Sequence, residues 1–160
     1  MEKIIKSIRN IQLAIGVLCL SVFFISVLIQ IFTRYLGISV LWTEELTNYS
    51  FIWAVFMGAA VMVSFQEHFA FKGLYDKLKE PSKKKILQII INAVILIFSI
   101  YILILGIEIT KTFWNYRWIS LPQLKRGYIW LSLPIMGGTM SLYSIFNILK
   151  ELKNIINPNP

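Results

Sequence analysis

Residues 86–107 read ILQIIINAVILIFSIYILILGI, a run without one charged side chain. At about 1.5 Å per residue it makes a helix of roughly 33 Å, enough to cross a hydrocarbon core of about 30 Å. Backbone groups in lipid must be bonded internally, so helix is the form this stretch has to take. Three more uncharged stretches of similar length accompany it, at 10–33, 46–66 and 127–149. Four such runs predict an all-α integral membrane protein of four spans, with residues 1–160 forming a single membrane domain.

The composition agrees with that reading. The chain has 160 residues, of which 57% are hydrophobic and 15% charged, and its net charge is +8. Soluble domains are nearer 45–50% apolar and about 25% charged, so lipid has to cover much of this surface. The positive charge does not read as a nucleic-acid footprint. Lys and Arg sit at the ends of the uncharged runs, as they do around membrane spans, and no segment interleaves them with aromatics into a stacking platform. Cys19 is the single cysteine and His68 the single histidine. An intrachain disulfide and bis-histidine ligation of a haem within one chain are therefore excluded, and neither a metal nor another cofactor is expected. Cys19, mid-span, reads as a small apolar residue. Lys3, Lys6 and Arg9 ahead of the first run resemble the basic start of a signal peptide. The run is too long for one, and the segment Gln30–Tyr35 offers no small-x-small cleavage site, so an uncleaved first span is the better reading.

Direction follows from the basic residues. The N-terminal segment, the connection between spans two and three (Lys72, Lys77, Lys79, Lys83, Lys84, Lys85) and the C-terminal segment (Lys150, Lys153) together hold eleven. The opposite side holds five: Arg34, Lys111, Arg117, Lys125 and Arg126. The richer side is expected to be cytoplasmic, with both termini inside. Trp42 in the first outer connection, and Phe113, Trp114, Tyr116, Trp118, Tyr128 and Trp130 around the second, read as an aromatic belt at headgroup level, with the segment 111–126 along the membrane surface. In the inner connection Phe71, Leu74, Tyr75 and Leu78 recur at helical spacing while Lys72, Asp76, Lys77 and Lys79 face away. This predicts a short amphipathic cytoplasmic helix between spans two and three, ended by Pro81, with Ser82 capping span three.

No Asp, Glu, Lys or Arg lies inside the four stretches. Proton-coupled pumps and exporters hold an ionisable group at membrane depth, because a cargo ion needs something that binds and releases it. A stand-alone four-helix exporter predicts a Glu in span one, where none stands, and an enzyme predicts paired His, a Cys cluster or an Asp-rich motif. A membrane interaction protein remains as an alternative. Asn92, Gln88 and Asn48 are the expected makers of interhelical hydrogen bonds, worth about 0.6 kcal/mol each. Small residues mark candidate docking faces: Ser50, Ala54 and Gly58 at every fourth position of span two, and Gly137, Gly138, Ser141 and Ser144 on span four, where Pro134 is expected to introduce a kink. Arg34 at the end of span one and Glu44 and Glu45 at the start of span two are close in sequence and opposite in charge, so an Arg34–Glu44 or Arg34–Glu45 ion pair is expected to orient the two ends.

In order along the chain, Arg34, Trp42-Thr43-Glu44-Glu45, Phe51-Ile52-Trp53 leading to Gly58-Ala59-Ala60, His68, Leu121-Pro122, Tyr128 and Leu133-Pro134 with Gly137 resemble the small membrane subunit, the DctQ type, of tripartite ATP-independent periplasmic (TRAP) transporters. One departure stands out. Where the family often shows an acid shortly after the histidine, this chain reads His68-Phe69-Ala70-Phe71-Lys72. The resemblance implies a non-catalytic subunit of a sodium-coupled transporter for an organic acid such as sialic acid or a C4-dicarboxylate. It implies two partners, a large membrane permease subunit (DctM type) and a periplasmic substrate-binding protein (DctP type), with the small subunit as a scaffold for the large one. Arg34, Trp42, Glu44, Glu45, Ser50, Trp53, Ala54, Gly58, His68, Pro134, Gly137 and Gly138 are the candidate partner-interface residues.

Overall fold

The computed structural model describes residues 2–38, 40–65 and 80–156. His68 and the amphipathic helix expected over 71–78 lie outside them. The described residues form helices α1 (Glu2–Tyr35), α2 (Trp42–Phe65), α3 (Pro81–Phe113), the single turn α4 (Gly127–Trp130) and α5 (Ser132–Ile156). Four segments are long and apolar enough to cross a membrane: α1, α2, most of α3, and α4 with α5 taken together.

The helices outrun the uncharged stretches. α1 has 34 residues and α3 has 33, about 50 Å each at ~1.5 Å per residue. Lys and Arg are good helix formers whose long stems lie along apolar surface while the charge stays wet, so nothing in Lys3, Lys6 or Arg9 stops the helix where the apolar run stops. α1 ends where a conformational constraint ends it. Gly37 has φ 73°, Ile38 donates its N–H to the Thr33 carbonyl at 2.9 Å, and Gly37 donates to the Arg34 carbonyl at 3.2 Å. This is the paired bonding of a left-handed glycine cap.

Two boundaries differ from expectation. α3 starts at Pro81 with Glu80 as its N-cap, so Ser82 lies inside the first turn rather than capping it. Proline at the first helical position is pre-set for the helix and loses no bond there. On span four the interruption falls at Leu131, and Pro134 stands in the first turn of α5. The carbonyl that a residue at 134 would bond is that of Trp130, in the turn just before, which is where the helix divides.

α1 packs along α2, α3 along α5, and α2 against α5 joins the two pairs. The helices therefore stand in the order α1, α2, α5, α3, with α2 and α5 inside and α1 and α3 at the edges. The row is bent enough for Gln12 of α1 to reach α5. The buried centre consists of Ala60 and Val63 of α2 against Met136, Met140 and Tyr143 of α5. The closest approach is between α3 and α5. A Cβ on Gly137 would lie 2.7 Å from the Leu103 backbone nitrogen, and one on Gly106 would lie 2.8 Å from the nitrogen of Pro134. Without a hydrophobic drive between helices in lipid, such backbone proximity is what favours their association.

Candidate functional site

At the end of the bundle opposite Glu2 and Lys150 the loop between α3 and α4 folds back on itself as a small hairpin. Arg117 and Lys125 form a bridge, Trp118 donates its N–H to the Leu124 carbonyl at 3.1 Å, and Arg126 donates to the Tyr116 carbonyl at 2.7 Å. The hairpin is held down by the first turns of α2. The backbone N–H groups of Ile119 and Ser120 each donate to the Glu45 carboxylate at 2.9 Å, and the Ser120 hydroxyl donates to it as well. The Arg126 guanidinium stands 3.9 Å from the same carboxylate. One and two turns along α2, the Tyr49 ring meets the buried Trp118 ring edge-on with centroids 4.4 Å apart, and the Trp53 indole N–H donates to the Tyr128 carbonyl at 3.2 Å. Glu45, Tyr49 and Trp53 recur every four residues, so one face of α2 receives the whole loop.

The expected ion pair at this end is not formed. Among the described residues Arg34 makes no ion pair with Glu44 or Glu45. Glu45 points to the hairpin, whose two N–H donors and hydroxyl offer a closer set of partners than one flexible guanidinium. Arg34 and Glu44 are exposed and line a shared recess with Gln30 and Gly37. Trp42, partly exposed, opens α2, and the hydroxyl of the neighbouring buried Thr43 donates to the Val40 carbonyl at 2.8 Å.

Within the apolar layer several polar groups bond each other across helices. The Gln12 amide donates to the Thr139 hydroxyl at 2.8 Å and accepts from the Tyr143 hydroxyl at 2.5 Å, tying α1 to α5. Asn147 donates to the Val63 carbonyl at 3.1 Å and to the Asn92 side-chain oxygen at 3.2 Å, tying α5 to α2 and α3 at once. Ser99 and Ser141 share a hydrogen bond of 2.8 Å between α3 and α5. The interhelical role expected of Asn92 is thus observed. Gln12, Tyr143 and Asn147, which the sequence reading passed over, carry as much of the seam. Gln12 stands three positions after Arg9 and Asn147 three before Lys150, and both read as span ends rather than as interior amides.

The small residues divide. Gly137 meets the α3 backbone and Pro134 lies against Gly106. A Cβ on Gly138 would reach only the Leu103 side chain, at 3.7 Å. Ser50 is buried and donates to the Leu46 carbonyl at 2.6 Å. A Cβ on Gly16 of α1 would lie 3.8 Å from the Ala54 carbonyl and 4.0 Å from the Gly58 nitrogen, yet a Cβ on Gly58 would meet nothing within 4 Å. Beside that contact runs an apolar groove of about 250 Å³ between α1 and α2, lined by Leu13, Val17, Leu20, Phe51 and Val55 together with Ala54 and Gly58. Among the described residues no group of three or more His, Cys, Asp or Glu side chains comes together.

Comparison with known proteins bears on this arrangement. The family model described as the DctQ component of tripartite ATP-independent periplasmic transporters matches residues 23–154, from the middle of α1 to the last turn of α5. No curated protein matches the chain.

Proposed function

This chain belongs to the family of DctQ components of tripartite ATP-independent periplasmic transporters, and from that premise we propose that it serves as the non-catalytic small membrane subunit of a sodium-coupled, binding-protein-dependent transporter for an organic acid, such as sialic acid or a C4-dicarboxylate. It is a transporter component and a multi-pass protein of the inner membrane. Its proposed role is to scaffold a large permease subunit, to which a periplasmic binding protein delivers the substrate.

The observation that carries this reading is where the polar groups go. Moving an organic anion through lipid demands cationic or dipolar groups free at depth. Here seven of the polar side chains at depth are bonded to one another across helices: Gln12 with Thr139 and Tyr143, Asn147 with Asn92, Ser99 with Ser141. These bonds lock four helices into one frame, and a partner with moving parts needs a frame to move against. The edge helices meanwhile present wide apolar faces, including Val17, Leu18, Phe24 and Phe32 on α1 and Val94, Ile97, Phe98 and Ile104 on α3. The groove at Ala54 and Gly58 is the proposed seat of a helix of the large subunit.

Reconstitution in liposomes tests the proposal, with this chain alone, the large subunit alone, and both together, each with binding protein and an inward sodium gradient. Uptake is expected only with both. Uptake by this chain alone, or full uptake by the large subunit without it, refutes the scaffold role.

A further inference from the structure

Where the termini-bearing ends of α1, α2 and α5 converge, a recess of about 330 Å³ opens between them, at the lower end of the size range of small-molecule sites, about 300–1,000 Å³. Three cations line it: Lys6 and Arg9 on consecutive turns of α1, and Lys150 on α5. Among the described residues none of the three has an ion-pair partner. Among the described residues Glu2 is the one carboxylate on its wall, so the described lining is net positive. The Arg9 guanidinium lies over the Phe65 ring, 4.6 Å from its centroid, so a cation and an apolar ring of the lining stand in contact. Ile5 adds to the apolar wall, and the buried Tyr143 lies on the floor with its hydroxyl already committed to Gln12.

We propose that this recess binds the phosphate group of an anionic phospholipid in the leaflet on the side of the termini. The depth is right. Arg9 directly precedes the uncharged stretch that starts at Asn10, Lys150 directly follows the one that ends at Leu149, and Phe65 is the last residue but one of the stretch 46–66. These positions are where three spans leave the hydrocarbon and where lipid phosphates lie. The lining is right as well. Basic pockets between membrane helices take lipid headgroups, and the apolar wall beside the cations suits the glycerol and first acyl carbons rather than a soluble anion. A net positive lining selects by headgroup, since the ammonium of phosphatidylethanolamine would meet like charge while the neutral glycerol of phosphatidylglycerol would not. A lipid seated here would link α1 to α5 at the end where Gln12 and Asn147 already join the helices.

Native mass spectrometry of the purified full chain tests it, with phosphatidylglycerol, phosphatidylethanolamine, inorganic phosphate and glycerol phosphate as separate titrants. The wild type is expected to retain phosphatidylglycerol about tenfold more tightly than phosphatidylethanolamine and to hold neither soluble phosphate. Each cation removed is expected to weaken phosphatidylglycerol binding about fivefold, as one lysine or arginine near a charged surface implies. The variant Lys6→Gln/Arg9→Gln/Lys150→Gln should then lose the headgroup preference, and Arg34→Gln/Lys111→Gln/Lys125→Gln, with the same net charge, should keep it. Should the first triple variant not fold, Lys6→Gln and Lys150→Gln at exposed positions carry the same test singly. Equal retention of both lipids, a preference that survives removal of the three cations, or an equal loss in the control variant overturns the site. Binding of glycerol phosphate or inorganic phosphate as tight as that of the lipid overturns the lipid as its source.

Discussion

The Glu45 carboxylate takes hydrogen bonds from a loop 74 and 75 positions further along the chain, and its nearer neighbour in sequence, Arg34, is left in an open recess. The charge pattern points to a pair, but a carboxylate goes to the most donors that can reach it in fixed geometry, and two adjacent backbone N–H groups are already in place. A hydrogen bond to a charged group contributes about 1.5–3 kcal/mol. Ile119 is 82% exposed, so water replaces part of what is lost there. Glu45→Ala is accordingly expected to destabilise the detergent-solubilised chain by about 1–2 kcal/mol in thermal unfolding, whereas Arg34→Ala should change it by less than about 0.5 kcal/mol. Equal losses from the two substitutions would restore Arg34 as the partner.

Two glycines on two helices show how differently one residue type acts in an element. Gly137 sits where α5 crosses α3 backbone to backbone, with Leu103 nitrogen and Cα and the Ser99 carbonyl all within 2.9 Å of the place a Cβ would take. Backbone atoms cannot step aside as a side-chain tip can, so the helices themselves would have to separate. Gly137→Ala is expected to cost about 1–3 kcal/mol, the range for overpacking a filled site. Gly58 faces open space at the groove. Gly58→Ala removes a residue that weakens helix interiors by about 0.5–1 kcal/mol, so the isolated chain should be unchanged or slightly more stable. Melting temperatures of the two single variants check the contrast. A loss at Gly58 equal to that at Gly137 would mean that the α1–α2 contact is as tight as the α3–α5 one. The bulkier Gly58→Leu separates folding from docking, because it should leave the chain folded yet hinder a partner helix from entering the groove.

At the scale of the molecule, the order α1, α2, α5, α3 makes a broad, thin row rather than a closed ring. Such a row buries its two middle helices on both sides and leaves the apolar faces of α1 and α3 to lipid or to another subunit. That shape suits a frame better than a pathway, since a pathway needs an enclosed axis. The row also sets which loops share a side. The end that carries Glu2 and Lys150 lies opposite the hairpin over α2, and from the eleven-to-five excess of basic residues we propose that the first end is the cytoplasmic one. In a Cys19→Ser background, cysteines at Lys84 and at Gln123 should therefore label from opposite faces of the membrane, Lys84 from inside. Labelling of both from one side would remove the proposed orientation.

The four helices long and apolar enough to cross a membrane were legible in the sequence because lipid imposes a length and forbids charge, and both constraints act on contiguous residues. The family was legible for a related reason. Its marks, from Arg34 through the Trp42–Glu45 run to Pro134 and Gly137, keep their order along the chain even though each alone is slight. The neighbours of each helix were not legible. Uncharged stretches of similar length carry no address, and only packing showed that α2 and α5 lie inside while α1 and α3 form the edges. The same holds for the clamp. Glu45 and Ser120 meet because α2 and α5 stand side by side and bring the loop between α3 and α4 over the start of α2. Gly106 and Gly137 matter for the approach they allow, which exists only once α3 and α5 face each other. A bilayer constrains each segment separately, and so the segments could be read; what they do to one another depends on distances that no single segment contains.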